Sequence, residues 1–141
     1  MAQQFPVQFT EEEWRNKLTS QQFKILRESG TERPFSGKYN NHTAPGTYTC
    51  AGCNAPLFEA SAKFNHGCGW PSFDQPKDAQ SLHATIDHSH NMVRTEISCS
   101  QCGGHLGHVF DDGPTSTGMR YCINSLSLGF EEDSNTPSTN P

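Results

Sequence analysis

The run Thr10-Glu11-Glu12-Glu13 sets a glutamate three positions after a capping threonine, and Trp14 and Leu18 then fall one turn apart on one face. This pattern predicts a short helix. Thr19-Ser20-Gln21-Gln22 signals a second start, with Phe23 and Leu26 as its apolar stripe and Gly30 placed to end it. From Arg33-Pro34 onward the helical period gives way to short β-like runs interrupted by Gly, Pro, Asn and Asp. Strands are predicted over 47–50, 82–86, 92–98, 119–124 and 125–130, with Val93, Thr95 and Ile97 sharing one face. Stretch 131–141 is acidic and rich in Ser, Thr, Asn and Pro, too poor in apolar area to order itself. The expected organisation is one domain over 1–130 and a disordered tail over 131–141.

Composition narrows the function. A chain of 141 residues suits one core, but only 32 % of it is hydrophobic and it carries 12 Gly and 9 Pro, so metal cross-linking would help a thin interior. The formal net charge is −5, and the ten Lys and Arg residues are scattered through the sequence, which speaks against nucleic-acid binding. Residues 1–9 have neither a basic start nor a long apolar run, and no segment approaches a membrane span. The expectation is a cytoplasmic protein away from membranes. In that reducing setting, paired cysteines serve more often as metal ligands or catalytic groups than as disulfides.

Four of the six cysteines form two matched pairs, Cys50-Ala51-Gly52-Cys53 and Cys99-Ser100-Gln101-Cys102. Two tight turns that each offer two thiolates suit tetrahedral zinc. Asn54 and Gly103 follow the pairs, and both residue types tolerate the left-handed backbone such a turn needs. The gap over 54–98 exceeds the usual spacing, but loop closure grows only logarithmically and the excess costs about 1 kcal/mol. Structural zinc supplies about 10 to 16 kcal/mol. Four thiolates leave no open position, so the ion is expected to hold structure and do no chemistry.

Cys68 and Cys122 remain, in Gly67-Cys68-Gly69-Trp70-Pro71-Ser72-Phe73 and Arg120-Tyr121-Cys122-Ile123-Asn124. Along a strand, Arg120, Cys122 and Asn124 point the same way, which sets a cation beside the sulfur. Lowering a thiol from about 8.5 to about 7 would raise its thiolate fraction at neutral pH about fifteen-fold. On the strand alone, a small core residue is an equal reading of Cys122. His105-Leu106-Gly107-His108-Val109-Phe110 supplies two imidazoles able to donate a proton, or else second-sphere partners of the metal or satisfied surface histidines; its glycine admits a close backbone or ligand. Trp70 alone reads as a core aromatic, but beside the glycine-flanked thiol it could present a ring face to a small, partly positive methyl group. His42, His66, His83, His88 and His90 have no comparable context and read as surface residues.

Taken together, these motifs resemble the methionine-R-sulfoxide reductase family, B type, with Gly30-Thr31-Glu32-Arg33-Pro34-Phe35-Ser36-Gly37 similar to that family's opening segment. The resemblance implies a mainly β fold of two antiparallel β-sheets, of the Mss4-like kind, with short N-terminal helices and a structural zinc held by Cys50, Cys53, Cys99 and Cys102. It implies Cys122 as nucleophile and Cys68 as resolving cysteine. By the same match His105, His108 and Asn124 hold and protonate the sulfoxide oxygen, Trp70 and Phe110 bind substrate, and Arg120 supports the nucleophile. Thioredoxin is the implied reductant, no further cofactor is implied, and a monomer is the default. Two rivals are kept: a non-catalytic zinc-ribbon interaction module, and a general thiol-disulfide oxidoreductase that uses a CxxC as its redox centre.

Overall fold

Helix α1 (Glu11–Lys17) starts as its pattern requires: Thr10 accepts from the Glu13 N–H while the Glu13 carboxylate accepts from the Thr10 N–H. In this computed structural model, which describes residues 5–88 and 91–132, α2 (Ser20–Glu28) repeats the device with Thr19 and Gln22. Trp14 and Leu18 are both buried. The left-handed residue that ends α2 is Ser29 and not Gly30, whose N–H bonds the Lys24 carbonyl.

Nine strands follow among the described residues: β1 (Gly46–Cys50), β2 (Pro56–Glu59), β3 (Lys63–Phe64), β4 (Ser72–Phe73), β5 (Leu82–Asp87), β6 (Arg94–Cys99), β7 (His105–Phe110), β8 (Arg120–Ile123) and β9 (Leu128–Glu132). They form a three-stranded sheet in the order β2-β1-β9 and a six-stranded sheet in the order β3-β4-β8-β7-β6-β5, antiparallel throughout. The fold is therefore mainly β, with two antiparallel sheets and two short helices, as the resemblance implied. Side chains from both sheets meet in one core, where Phe58 stacks on Phe73 at 4.2 Å and Tyr48 meets Phe73 edge-on.

Several expectations need correction. β6 begins at Arg94, leaving Val93 exposed, so the shared apolar face starts at Thr95. The chain over 125–130 is not one strand: Ser125–Ser127 is a 3₁₀ turn that carries it from the six-stranded sheet to the three-stranded one. β9 runs to Glu132, two residues into the stretch assigned to the tail, because Glu131 and Glu132 pair with Thr47 and Gly46. The rest of that stretch lies outside the described residues, as does His90. Strands β2, β3, β4 and β7 went unpredicted; three are too short to show a period, and Gly107 breaks the reading of β7. His42 is not a plain surface residue: it is half-buried among Tyr39, Tyr48 and Phe130, with Nδ1 2.8 Å from the Tyr48 hydroxyl. His83 is also half-buried, against Phe5, whereas His66 and His88 are exposed.

Candidate active site and metal centre

Two hairpin turns, one from each sheet, bring the paired cysteines together. Cys50 ends β1 and Cys53 lies in the turn to β2; Cys99 ends β6 and Cys102 lies in the turn to β7. Each turn closes alike: Asn54 (φ 71°) and Gly103 (φ 78°) are left-handed, and their N–H groups bond the carbonyls of Cys50 and Cys99, both at 2.8 Å. All four sulfurs lie within 4.8 Å of one another, with Cys50 to Cys102 and Cys53 to Cys99 each 3.6 Å apart. A tetrahedral ion with metal–sulfur bonds of about 2.3 Å spaces its ligands by about 3.8 Å, so the four cysteines could hold a metal ion. Contact with Cys102 pushes the Cys50 thiol up and the Cys53 thiol down, because sulfurs this close cannot all carry charge without a cation among them. Such an ion would tie the two sheets together at one point.

Elsewhere in the larger sheet, β8 and β7 line a cavity of about 220 Å³ with Cys122, Arg120, His108 and Phe110, joined by Asn124 just past the end of β8. Arg120, Cys122 and Asn124 face it together, as strand alternation predicts. Cys68 and Trp70 come from the loop before β4, whose Ser72 pairs with Cys122. That register sets the sulfurs of Cys68 and Cys122 3.8 Å apart. Gly107 meets the expectation of close approach, since a Cβ there would lie 2.0 Å from the Cys122 carbonyl oxygen.

His105 and His108 are an odd number of residues apart, so a regular strand would send them to opposite faces. A bulge prevents this. Ser98 pairs with His105 but Ile97 pairs with Gly107, and the extra residue turns His105 back toward His108, with ring centroids 5.7 Å apart. Each imidazole has a carboxylate: His105 Nδ1 lies 2.7 Å from Glu96 Oε2, and His108 Nε2 lies 2.8 Å from Asp87 Oδ2. The cavity wall includes His108; His105 stands buried beside it, its Nε2 without a hydrogen-bond partner among the described residues. Burial first, then the charges of Arg94 and His105, hold His108 below the usual imidazole range, with Asp87 opposing.

The electrostatics of the thiols overturn one expectation. Burial, reinforced by Cys68, pushes Cys122 up to about 12, and Arg120 only partly offsets this. The Arg120 guanidinium is engaged elsewhere, donating to both Asp112 oxygens at 2.8 and 3.0 Å while lying 4.4 Å over the Phe110 ring. Cys68 moves the other way: burial opposes its ionisation, but Ser72, the Trp70 backbone, Cys122 and Arg120 together outweigh that. With both thiols reduced, Cys68 is therefore the more readily ionised of the two.

Asn124 is fixed at both ends, donating to the Leu106 carbonyl at 3.0 Å and accepting from the Glu32 N–H at 2.9 Å; the Glu32 carbonyl accepts from Trp70 Nε1 at 3.0 Å. Sequence reasoning missed Glu32, Asp87, Arg94, Glu96 and Asp112. Glu96 was within reach, since it lies on the side of the strand opposite the face that Thr95 and Ile97 share.

A SelR domain matches residues 18–132, from the end of α1 to the last residue of β9. The chain belongs to the SelR family. Among its relatives, the "Peptide methionine sulfoxide reductase MsrB" of Methylibium petroleiphilum is 57 % identical over 125 residues, covering 89 % of this chain and 91 % of the relative. Its namesake from Teredinibacter turnerae is 58 % identical over 122 residues, covering 86 % of this chain and 90 % of the relative. That from Thiobacillus denitrificans is 57 % identical over 121 residues, with 86 % and 92 % covered. The family resemblance read from the motifs is thus borne out. Within this SelR domain, no helix among the described residues is long and apolar enough to cross a membrane.

Proposed function

We propose that this SelR domain reduces the R epimer of methionine sulfoxide, in peptides or as the free amino acid, to methionine. The observation that carries the reading is the pair of sulfurs 3.8 Å apart on the wall of a small cavity that also presents an imidazole and an aromatic ring. Cys122 attacks the sulfoxide sulfur while Cys68, the more readily ionised, accepts its proton. His108, with His105 beside it, delivers a proton to the sulfoxide oxygen, and Asn124 helps hold that oxygen. Trp70 and Phe110 enclose the methyl group. The oxygen passes to Cys122 as a sulfenic acid; Cys68 then displaces it as water, forming a Cys68–Cys122 disulfide that prevents further oxidation. A dithiol protein, thioredoxin, takes over the disulfide by exchange. Arg120, aligned by Asp112, keeps a positive charge beside both sulfurs.

The metal in this reading is one zinc ion held by Cys50, Cys53, Cys99 and Cys102; when bound it supplies cross-linking and no step of the reaction. The domain works as a cytoplasmic monomer without nucleic acid or membrane. The test is to incubate the protein with both epimers of a methionine sulfoxide derivative and a dithiol, then resolve them chromatographically. Disappearance of the R epimer alone is expected; consumption of the S epimer, or of neither, would overturn the assignment.

A further inference from the structure

At about 220 Å³, the cavity holding the two thiols is smaller than the roughly 300 to 1,000 Å³ of typical ligand pockets, so it suits one side chain. A methionine sulfoxide within a polypeptide must lay the rest of its chain outside. A groove of about 710 Å³ adjoins the cavity. Exposed Thr31 lines both, so the two openings meet at the surface there, and Glu32, bonded to Asn124 and Trp70, forms the wall between them.

The rim of this groove is cationic. Lys24, Arg33 and Lys38 line it, all three are exposed, and none has a carboxylate partner among the described residues. Arg15, Lys77, Arg94 and Arg120, by contrast, pair with Glu11, Glu59, Asp87 and Asp112. One end of the groove is the start of α2, through Thr19, Gln21 and Gln22, where the helix dipole adds positive potential. The first turn of α2 holds no acidic residue, whereas that of α1 holds Glu11, Glu12 and Glu13. The one acid lining the groove among the described residues, Glu32, is 6 % exposed and accepts the Leu126 N–H. Unpaired cations concentrated beside the site of a chain of net charge −5 create a local field that draws in anionic chain segments.

We propose that this groove receives the polypeptide flanking the oxidised methionine and selects for acidic residues there. The inference rests on the reductase reading and adds a substrate preference to it. The test uses heptapeptides with a central methionine-R-sulfoxide flanked by Glu, Ser or Lys, with a small dithiol as reductant. The Glu peptide should exceed the Lys peptide about tenfold in kcat/KM, mainly through KM, with the Ser peptide between them. The preference should collapse in roughly 0.5 M salt and in the K24E/R33E/K38E variant, which should keep the kcat of the Ser peptide. Equal kcat/KM across the three peptides would overturn the proposal, as would an order that survives both salt and charge reversal. An order seen only with thioredoxin as reductant also overturns it, in favour of reductant docking. Failure to turn over any peptide or free methionine-R-sulfoxide would overturn the reductase reading instead.

Discussion

The nearest sulfurs at the metal centre are 3.6 Å apart and those at the cavity 3.8 Å apart, so spacing alone does not separate a ligand set from a redox pair. The backbone that presents them does. At the metal centre, two turns of one geometry each offer two sulfurs to a common point, which satisfies four-coordination with no position left for substrate. At the cavity, one sulfur comes from a strand and the other from a loop; neither has a second cysteine three residues away, and both border open volume. The first arrangement joins two sheets, and the second lies within one. Sulfur chemistry is thus partitioned by hairpin geometry, and altering each set should have consequences of a different kind.

The largest effect is expected at the metal centre. Removing the ion with a strong chelator, or replacing Cys99 by Ser, takes away a contribution of about 10 to 16 kcal/mol, as large as the whole stability of an ordinary domain. The chain should lose its fold, read by circular dichroism and by loss of the bound metal in elemental analysis. A metal-free protein that kept its native spectrum and thermal transition would break the contrast between the two sulfur sets.

Cys122→Ser should do the reverse. Reduction should fall at least about a thousand-fold, because a hydroxyl does not replace a thiolate nucleophile at neutral pH, while metal content and the thermal midpoint stay near wild type. Residual turnover within tenfold of wild type would move the nucleophile elsewhere. Cys68→Ser sharpens the point further. Turnover with thioredoxin should stop after about one equivalent of methionine per enzyme, since no intramolecular disulfide can form. Cys68 is also one of the causes that raise Cys122, so its removal should move the pH midpoint of Cys122 alkylation downward, still above that of an exposed thiol because burial remains the larger cause.

The metal centre was legible in the sequence because local information suffices for it: the CxxC spacing and the left-handed Asn54 and Gly103 fix each turn, and closing the long gap costs little. The same holds for the two capping boxes and for the shared face of Arg120, Cys122 and Asn124. The cavity's electrostatics were not legible, because they depend on partners far along the chain. Asp87 and Glu96 reach the histidines only through the pairing of β5, β6 and β7, and the bulge that aligns those histidines leaves no sequence period. Arg120 illustrates the limit: adjacency on the strand correctly put its charge near Cys122, yet burial outweighs that charge.

The smallest effect should come from the carboxylate behind His108. Asp87 raises the affinity of that imidazole for its proton, whereas burial, Arg94 and His105 lower it; Asp87→Asn removes a group that favours the charged form. His108 in the variant should titrate lower still. If its protonated form supplies the proton to the sulfoxide, kcat/KM falls as pH rises through that titration, so the alkaline limb should move to lower pH and activity at neutral pH should drop about three- to tenfold. Stability carries the matching sign. An imidazole depressed on folding binds fewer protons than in the unfolded chain, so its stabilising contribution is full above the unfolded value of about 6.5 and is lost as pH falls through the native one. The variant should therefore lose more stability than wild type on acidification from pH 7 to 5, measured as denaturant midpoints, with no change in metal content. A pH profile unmoved by Asp87→Asn would leave His108 without a protonic role and pass proton delivery to His105, whose Nδ1 partner is Glu96.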